Sequence, residues 1–368
     1  MSDPFQVPED VAVRVVPARL RELTTEVLMR CGVPRADAEL GADVLLYADL
    51  RGIDTHGVSN KLRDYVVRYR DGRLNPEPKL EVVRETPSTA LVDGDRGLGV
   101  IVAPRAMQIA IAKAAAVGTG VVSVRNAGHV GAAGYHARLA LEHDMIGWCM
   151  AVSQARKGTV PTFGAQPRLG TNPIAFAAPA GEEVPFVFDA AMTTIAGNKI
   201  GLAQRMGQPL GPGWVANPDG TPNMAGGRIE DLAAGPGVKP WQLPLGSTRE
   251  LGSHKGYGLS VIVDILCGQL AFAPGFATLA TDRGGHFVAA YDIGAFGDPA
   301  EFKANMDGML QGLRETPPMP GQDRVLYAGL PEAETARDRG EKGIPLHPEV
   351  VGWFRTICDE LDLGFDLV

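Results

Sequence analysis

A glycine-rich loop around a histidine, residues 126–136 (NAGHVGAAGYH), constrains the fold more than any other stretch of this sequence. It follows a short apolar run at 120–124 that is typical of a β-strand, and it precedes a helical pattern at 134–143. The three glycines of the loop let another backbone or a flat ligand approach closely. His129 lies among them at the end of the predicted strand, and an imidazole exchanges protons readily near neutral pH. The loop therefore predicts either a catalytic histidine that faces a pocket or a turn around a partly buried structural histidine.

The size and composition of the chain limit the classes of protein to which it can belong. Its 368 residues suffice for one large domain or two to three joined domains, and 45% hydrophobic with 21% charged residues is ordinary for a globular protein. A net charge of -8 with no basic stripe argues against a nucleic-acid surface and allows a small anionic ligand only at a local cationic pocket. The four cysteines are widely spaced, which favours buried reduced thiols over metal ligands or disulfides.

The N-terminal sequence and the hydropathy pattern indicate a soluble cytoplasmic protein. The first ten residues, MSDPFQVPED, lack a basic region followed by an apolar core, so no signal peptide is expected. No uninterrupted apolar run approaches the ~18 residues of a membrane span. We therefore expect neither a membrane nor a nucleic acid among the partners.

Hydrophobic periodicity predicts helices and strands interspersed along the chain. Helices are expected at residues 16–30, 34–50, 61–71, 103–117, 134–143, 256–270, 299–314 and 348–361. Strands are expected within 79–93, at 120–125 and 145–152, in a hairpin of 174–177 with 185–188, and at 285–293, with loops at 203–252 and 315–347. This order lacks the strict strand–helix alternation of a doubly wound sheet, and no Gly-x-Gly-x-x-Gly or Walker-type motif is present. The sequence therefore does not support a Rossmann fold. It is compatible with a dinucleotide-binding site of another design.

Four further segments place polar groups where the chain leaves a predicted element. Residues 52–57 (GIDTHG) combine an acid, a hydroxyl and an imidazole in a loop that either binds a ligand or caps the next helix. Residues 151–157 bring hydroxyl, amide and cationic groups to a strand end. Residues 188–194 end a strand with Asp189, which either orients a protonated imidazole or caps a turn. Residues 252–258 lead into a helix whose N-terminal donors and lysine either contact an anion or face solvent.

Three histidines at seven-residue intervals, His129, His136 and His143, are the main candidates for a metal site. The last two lie two helical turns apart, about 10 Å along the axis at ~1.5 Å per residue, which is too far for one ion. Zinc sites on helices use closer spacing, such as i, i+4. No metal site is therefore expected. A metal-dependent hydrolase and a non-catalytic nucleotide-binding protein are the alternative classes, and they would show chelator sensitivity and cofactor binding without turnover, respectively.

Five segments, taken together and in order, resemble the malate/L-lactate dehydrogenase-type family of NAD(P)-dependent oxidoreductases, which is distinct from the Rossmann malate and lactate dehydrogenases. The family includes ureidoglycolate, sulfolactate and malate dehydrogenases, diketogulonate reductase and piperideine-2-carboxylate reductases. Each motif alone is weak, but the ordered set spans most of the chain and is specific. The segments are RGIDTHGV at 51–58, NAGHVGAAGYHARLA at 126–140, LGTNPIAFAAP at 169–179, VFDAAMT at 187–193 and GSHKGYGLSVIVDIL at 252–266.

The resemblance implies a mixed α/β (α+β) fold without Rossmann topology. A largely antiparallel sheet is expected in the cofactor domain, beside a helical domain made from both chain ends. We place the helical, dimerising domain at residues 1–78 with 315–368 and the cofactor- and substrate-binding region at 79–314. The family is typically homodimeric, with its active site near the subunit interface, so a homodimer is expected.

The resemblance also implies roles for individual residues. His129 matches the catalytic acid/base of the family, and His56 matches its substrate-side histidine. Asp189 is expected to support an imidazolium ion as a further catalytic residue. The positions expected to contact the cofactor, NAD or NADP, are Ser153, Thr171, Asn172, Pro173, Asp189, Ala190, Ala191 and Lys255.

The expected substrate contacts are His56, Asn60, Lys61 and Thr171. Many members of the family carry an arginine four residues after the first histidine, which suits a substrate carboxylate. Here that position is Asn60, followed by Lys61. Lys61 or Arg63 can supply the charge, although arginine forks a carboxylate better than lysine does.

The implied reaction moves hydride between C4 of the nicotinamide and the α-carbon of a small 2-hydroxy or 2-oxo acid. His129 would exchange the proton of the hydroxyl group that forms or is oxidised. The alternative reaction is reduction of a cyclic imino acid such as piperideine-2-carboxylate, in which nitrogen takes the proton. NAD and NADP are not separated by this sequence, because the ribose-reading residue of a Rossmann unit has no counterpart in it.

Overall fold

The computed structural model describes residues 6–153, 158–232, 239–273 and 284–367. The helices are α1 (Pro17–Arg30), α2 (Arg35–Leu50), α3 (Val58–Arg70), α4 (Gly99–Val117), α5 (Ala133–Arg138), α6 (Gly197–Arg205), α7 (Ile229–Leu232), α8 (Ser253–Asp264), α9 (Pro299–Arg314), α10 (Leu330–Lys342) and α11 (Pro348–Leu361). The strands are β1 (Val13–Val15), β2 (Glu81–Glu85), β3 (Thr89–Asp93), β4 (Thr119–Ala127), β5 (Met145–Ser153), β6 (Ile174–Ala178), β7 (Phe186–Ala190), β8 (Val215–Ala216), β9 (Trp241–Gln242), β10 (Gly284–Asp292) and β11 (Ile344–Leu346). Short 3-10 segments follow α5 and β10, at Leu139–His143 and Ile293–Ala295, and a π-helical segment, Ile265–Gln269, extends α8.

A seven-stranded sheet in the order β2-β3-β4-β10-β5-β6-β7 is the largest layer of the structure. Its neighbouring strands are antiparallel, except β3 and β4, which are parallel and are connected through α4. The three central strands contribute buried apolar side chains to a separate core on each face. The sheet confirms the prediction of a mixed α/β fold that is largely antiparallel and does not have Rossmann topology.

Small residues on the central strands let helices pack directly against one face of the sheet. Gly120 of β4 and Gly147 of β5 both pair with Ala290 of β10, so the three form a row across the sheet. A Cβ on Gly120 would lie 1.8 Å from the carbonyl oxygen of Ala110 in α4, and one on Gly147 would lie 2.0 Å from that of Ala137 in α5. The core on this face is rich in alanine, which fits a chain with only 6% aromatic residues.

A second core lies among helices from both ends of the chain. Buried side chains of α1, α2, α3 and α11 pack together with the beginning of α4, and Leu20 and Phe354 are among the largest that are fully buried. β1 pairs with β11 in antiparallel register, with Val13 opposite Leu346, so a short sheet joins the two ends. The division of the chain into a helical domain and a cofactor domain stays a prediction.

Most elements lie where hydrophobic periodicity predicts them. α9 and α11 have the predicted bounds. α3 begins at Val58 rather than at 61, and α4 begins at Gly99 rather than at 103, with Pro104 inside the helix. The helix predicted at 134–143 divides into α5 and the 3-10 segment that follows it.

The prediction of a loop at residues 315–347 is wrong, because this region contains α10 and β11. The sequence of α10, LPEAETARDRGEK, buries only Leu330 and Arg339, which is too few positions to produce an apolar period. The region 203–252 likewise contains β8, α7 and β9, and α6 ends inside it at Arg205. Elements this short take their conformation from tertiary contacts more than from local periodicity.

Helix α4 has the length and composition of a membrane span, with a mean hydropathy of 1.5, and it is the one such helix in the part of the chain that the structure describes. Its inner face is buried in the core of the sheet, where Val102, Ala106, Met107 and Ala110 have no exposed surface. Contact with the central strands therefore accounts for the apolar sequence of this helix.

We expect Gly147→Ala to destabilise the protein by about 1–3 kcal/mol, because the added Cβ would meet the backbone of α5 rather than a movable side chain. Guanidinium unfolding followed by circular dichroism measures the change in free energy of unfolding. Gly312→Ala is the control, since its Cβ meets nothing within 4 Å on the exposed surface of α9. The control should be neutral or stabilising by up to about 1 kcal/mol. Wild-type stability in Gly147→Ala would contradict the direct packing of α5 on β5.

Candidate active site

Two histidines from separate loops lie face to face near the end of β4. His129 follows β4 in the loop before α5, and His56 lies in the loop between α2 and α3. Their rings are parallel to within 7°, and the ring centroids are 5.7 Å apart. Thr55 Oγ1 lies 2.7 Å from Nδ1 of His56. The fold thus brings together the two histidines that the sequence motifs indicate.

Tyr65 is absent from the predicted site residues, yet it holds the ring of His129. Its hydroxyl lies 2.7 Å from Nδ1 of His129, and the N–H of Gly131 donates to the same nitrogen at 3.2 Å. A backbone N–H can only donate, so Nδ1 accepts and the proton of the neutral ring lies on Nε2. Nε2 is therefore the nitrogen left for a ligand. The signal for Tyr65 in the sequence is its position one helical turn after Lys61.

A buried lysine gives this site a positive charge. Lys61 of α3 is 8% exposed, and its Nζ donates to Oδ1 of Asn198 at 3.0 Å. Asn198 donates in turn to the carbonyl oxygen of Thr55, next to His56. Arg63, the other predicted source of charge, is exposed on α3. Lys61 is thus the one of these two cations whose charge acts on both histidines.

Burial keeps both histidines neutral. Desolvation, with a smaller contribution from the charge of Lys61, lowers the pKa of His56 to about 3. Desolvation is also the largest cause that lowers the pKa of His129 well below its usual range, followed by the charges of Lys61 and His56. Both residues are half-buried. At neutral pH the site therefore presents two uncharged imidazoles beside one buried ammonium group.

Buried acidic and basic side chains anchor the loop that carries His56. Arg339 of α10, 4% exposed, forks the carboxylate of Asp54 with hydrogen bonds of 2.5 and 3.1 Å. Asp49 accepts a hydrogen bond of 2.7 Å from the first N–H of α3, and burial raises its pKa well above the usual range. A Cβ on Gly57 would lie 2.0 Å from Oδ1 of Asp49, so only glycine fits directly after His56.

Asn60, a predicted substrate contact, braces the same loop. Its side-chain amide donates to the carbonyl oxygen of Asp54 at 2.5 Å, and its oxygen accepts a hydrogen bond of 3.4 Å from Arg205. Through these contacts Asn60 stabilises the loop that carries His56. Its contact with substrate stays a prediction.

A cavity of about 520 Å³ lies beside the His56 loop. Thr55 lines it, together with Asp189, Ala190 and Ala191 of the turn predicted to contact the cofactor. The carboxylate of Asp189 accepts a hydrogen bond of 2.7 Å from the N–H of Gly134, at the start of α5. Burial raises the pKa of Asp189 to about 6. Asp189 thus joins the cavity wall to the helix that follows the His129 loop.

Both signs of charge line this cavity. The guanidinium carbon of Arg51 lies 4.0 Å from the ring centre of Tyr47, and that of Arg138 lies 5.6 Å from the same ring. Glu332, in the first turn of α10, is a second carboxylate on the wall beside Asp189. The cavity therefore offers cationic groups on an aromatic ring and anionic groups within one space.

The residues before β6 connect that strand to its neighbours. Asn172 is buried with a φ of +45°, and its amide donates to the carbonyl oxygen of Ser260 in α8 at 2.9 Å. The carbonyl oxygen of Thr171 accepts a hydrogen bond of 2.8 Å from the N–H of Met192. The cofactor contacts assigned to Thr171, Asn172 and Pro173 stay predictions.

Two further predicted cofactor contacts come from strand and helix ends. Lys255 is exposed in the first turn of α8. Ser153 is the last residue of β5, and its side chain lies outside the described structure, as do residues 154–157 of the same predicted segment. Both assignments stay predictions.

No group of three or more histidine, cysteine, aspartate or glutamate side chains is arranged to hold a metal ion in the ranges that the structure describes. Of the three histidines at seven-residue intervals, His136 is buried within α5 and His143 ends the following 3-10 segment. His129 is thus the member of the series that lies in the site.

Known dehydrogenases resemble this chain in sequence and in fold. A family model described as malate/L-lactate dehydrogenase matches residues 15–354. Malate dehydrogenase from Pyrococcus horikoshii is 38% identical over 345 residues, which cover 92% of this chain and 93% of that protein. L-sulfolactate dehydrogenase from Methanocaldococcus jannaschii is 32% identical over 357 residues, 95% of this chain and 98% of that protein. The crystal structure of malate dehydrogenase from Entamoeba histolytica matches with a TM-score of 0.89 and 33% identity, over 96% of this chain and 99% of that one.

We expect Tyr65→Phe to lower kcat roughly ten-fold with the KM for cofactor unchanged, because a hydrogen bond that orients the reacting ring is worth about 1–1.5 kcal/mol. Steady-state kinetics of the purified variant measure both constants. Tyr69→Phe is the matched control on the same helix, since the buried hydroxyl of Tyr69 has no hydrogen-bond partner among the described residues. Equal kcat values in the two variants would show that the Tyr65 hydroxyl does not orient His129.

Proposed function

Because the chain belongs to the malate/L-lactate dehydrogenase family, we propose that it interconverts a small 2-hydroxy acid and the corresponding 2-oxo acid with NAD or NADP. The observation that carries the proposal is the arrangement of His129, which is hydrogen-bonded to Tyr65, stacked on His56 and within the field of the buried Lys61. Relatives named as dehydrogenases of malate and of L-sulfolactate support this class of substrate.

We assign the proton transfer to His129. An alkoxide is too basic to be left free at neutral pH, so a hydroxyl that is oxidised needs a base and a carbonyl that is reduced needs an acid. Tyr65 and Gly131 engage Nδ1 of His129, which leaves Nε2 for the substrate oxygen. In the reductive direction the doubly protonated ring gives its Nε2 proton to the forming alkoxide and keeps the proton on Nδ1. In the oxidative direction the ring with its proton on Nδ1 accepts the hydroxyl proton at Nε2. The Tyr65 hydroxyl either donates to Nδ1 or accepts from a protonated Nδ1, so it holds the ring in both the neutral and the charged form.

Lys61 is the residue that we assign to the substrate carboxylate. A partly desolvated ammonium group attracts an anion more strongly than an exposed one does, and Lys61 is buried next to both histidines. The ring of His56 lies parallel to that of His129, with 5.7 Å between the ring centroids. When bound, a nicotinamide ring supplies or accepts the hydride. The side chains of Lys61, His56 and His129 orient the substrate acid and transfer one proton.

The cavity beside the His56 loop suits a dinucleotide in size and in the chemistry of its wall. Its volume of about 520 Å³ is within the usual range for ligand pockets. The guanidinium groups of Arg51 and Arg138 suit phosphate oxygens, and the carboxylates of Asp189 and Glu332 suit ribose hydroxyls. Since the wall carries both kinds of group, it favours neither NAD nor NADP.

The proposal includes further assignments that the family resemblance supports. Asn60 and Thr171 are assigned to substrate, and a homodimer in the cytoplasm is the expected state of the protein. The additional cofactor contacts are Ser153, Thr171, Asn172, Pro173, Ala190, Ala191 and Lys255.

Absorbance of the reduced nicotinamide tests the proposal directly. NADH and NADPH are supplied separately, each with oxaloacetate, pyruvate, a longer 2-oxo acid and piperideine-2-carboxylate. We expect oxidation of one reduced cofactor with at least one 2-oxo acid, which identifies the cofactor and the substrate class together. Oxidation only with piperideine-2-carboxylate would replace the 2-oxo acid with a cyclic imino acid. No oxidation with any acid would contradict the proposal.

His129→Ala is the companion variant in the same assay. We expect it to lower turnover about 100-fold or more, because the forming alkoxide loses its proton donor. His143→Ala serves as the control, since His143 ends the 3-10 segment outside the site. Unchanged turnover in His129→Ala would remove His129 from the proton-transfer role.

A further inference from the structure

Two buried histidines bind the backbone on either side of His129. His286 of β10 is 1% exposed, and its Nε2 lies 2.9 Å from the carbonyl oxygen of Gly128. His136 of α5 has no exposed surface, and its Nε2 lies 2.8 Å from the carbonyl oxygen of Val130. Gly128 and Val130 are the residues directly before and after His129. The two imidazoles therefore hold the peptide group that precedes His129 and the one that follows Val130.

The partners of these rings define where their protons lie. A carbonyl oxygen only accepts, so each Nε2 carries a proton and donates it. Burial lowers the pKa of His136 to about 3 and that of His286 to about 4, so both donors are uncharged. The Nδ1 atoms of the two rings are buried with no hydrogen-bond partner among the described residues. An unpartnered buried nitrogen costs about 1–3 kcal/mol, which an apolar side chain of similar size would avoid.

The loop needs these donors because it leaves the sheet at this point. The register between β4 and β10 shifts between Gly284 and His286, and Asn126 near the end of β4 has a φ of +56°. Carbonyl groups beyond such an irregularity no longer have the regular partner of a strand ladder. His286 and His136 supply the hydrogen bonds that the ladder does not, and a buried carbonyl without them would be left unpaired.

We propose that His136 and His286 are positioning residues that fix the backbone on which His129 is carried. The inference rests on the proposed proton transfer by His129. The carbonyl groups of Gly128 and Val130 are held on either side of His129, which limits movement of the backbone between them, and the hydrogen bond to Tyr65 restricts rotation of the His129 ring. A displacement of about 1 Å at a reacting group lowers the rate by about 100-fold when atoms must be aligned.

Paired substitutions separate the hydrogen-bond donor from the filling of space. His286→Gln and His136→Gln keep an N–H donor at about the reach of Nε2, whereas His286→Leu and His136→Leu keep most of the volume and lose the donor. We expect each Leu variant to lower kcat by about 10- to 100-fold. The KM for cofactor should stay near that of the wild type, and the Gln variants should recover most of the lost kcat.

A purely structural role leads to a different outcome. In that case the Gln and Leu variants lose thermal stability together, and kcat per folded molecule stays at the wild-type value. Wild-type kcat in both Leu variants would overturn the proposal. If a Leu variant does not fold, the Asn variant at that position replaces it in the comparison with the Gln variant. The side-chain amide of Asn is too short to reach the carbonyl oxygen, so this variant also lacks the hydrogen bond. A kcat far below that of the Gln variant supports the proposal, and an equal kcat overturns it.

Amide hydrogen exchange tests the same proposal without any turnover, so a failure of the proposed function is distinguished from a failure of the positioning role. The amides of Gly128 and Gly131 are both hydrogen-bonded in the loop. We expect His286→Leu and His136→Leu to exchange these amides about ten-fold faster than the Gln variants, which corresponds to the loss of one hydrogen bond. Equal exchange rates in Leu and Gln variants would overturn the positioning role even in an active enzyme.

Discussion

The hydrogen bond between the hydroxyl of Tyr65 and Nδ1 of His129 joins the two cores of the molecule at the candidate active site. Tyr65 is fully buried in the helical core, whereas His129 lies where the chain leaves the sheet at the end of β4. The hydrogen bond from Tyr65 to the imidazole therefore depends on the packing of α3 beside the end of β4. Arg339 extends this dependence, because it connects α10 to Asp54 in the loop that carries His56.

The electrostatics of the site follow from this packing. Desolvation and the charge of Lys61 lower the pKa of His129, and Lys61 itself is a positive charge that the protein has partly withdrawn from water. A carboxylate placed beside Lys61 would offset that charge and raise the pKa of the nearby imidazole. Nδ1 would then take up a proton, the hydroxyl of Tyr65 would change from donor to acceptor, and the hydrogen bond from the N–H of Gly131 would be lost. Binding of an anionic acid and protonation of His129 are thus coupled in this arrangement.

Local sequence patterns predict much of the fold. The elements and contacts that they do not predict depend on residues far apart in the sequence. Apolar spacing located α11 to the residue, whereas α10 has too few buried positions to show a period. His56 and His129 are visible because each lies in a polar, glycine-bounded break between elements. Helical spacing places Tyr65 one turn after Lys61 on the same face of α3. The contact of His286 with Gly128 joins residues 158 positions apart, and no local pattern in one sequence reports such a pairing.

The ring nitrogens of His129 in the unliganded protein, followed by ¹⁵N NMR from neutral to acid pH, test the central claim most directly. The spectrum of His129→Gln identifies which signals belong to this ring. We expect Nε2 to carry the proton and Nδ1 to accept a hydrogen bond at neutral pH and still at pH 6.5, because burial and Lys61 hold the pKa well below its ordinary value of 6.5. A ring that takes up a second proton near pH 6.5, or whose neutral form carries its proton on Nδ1, would contradict the account.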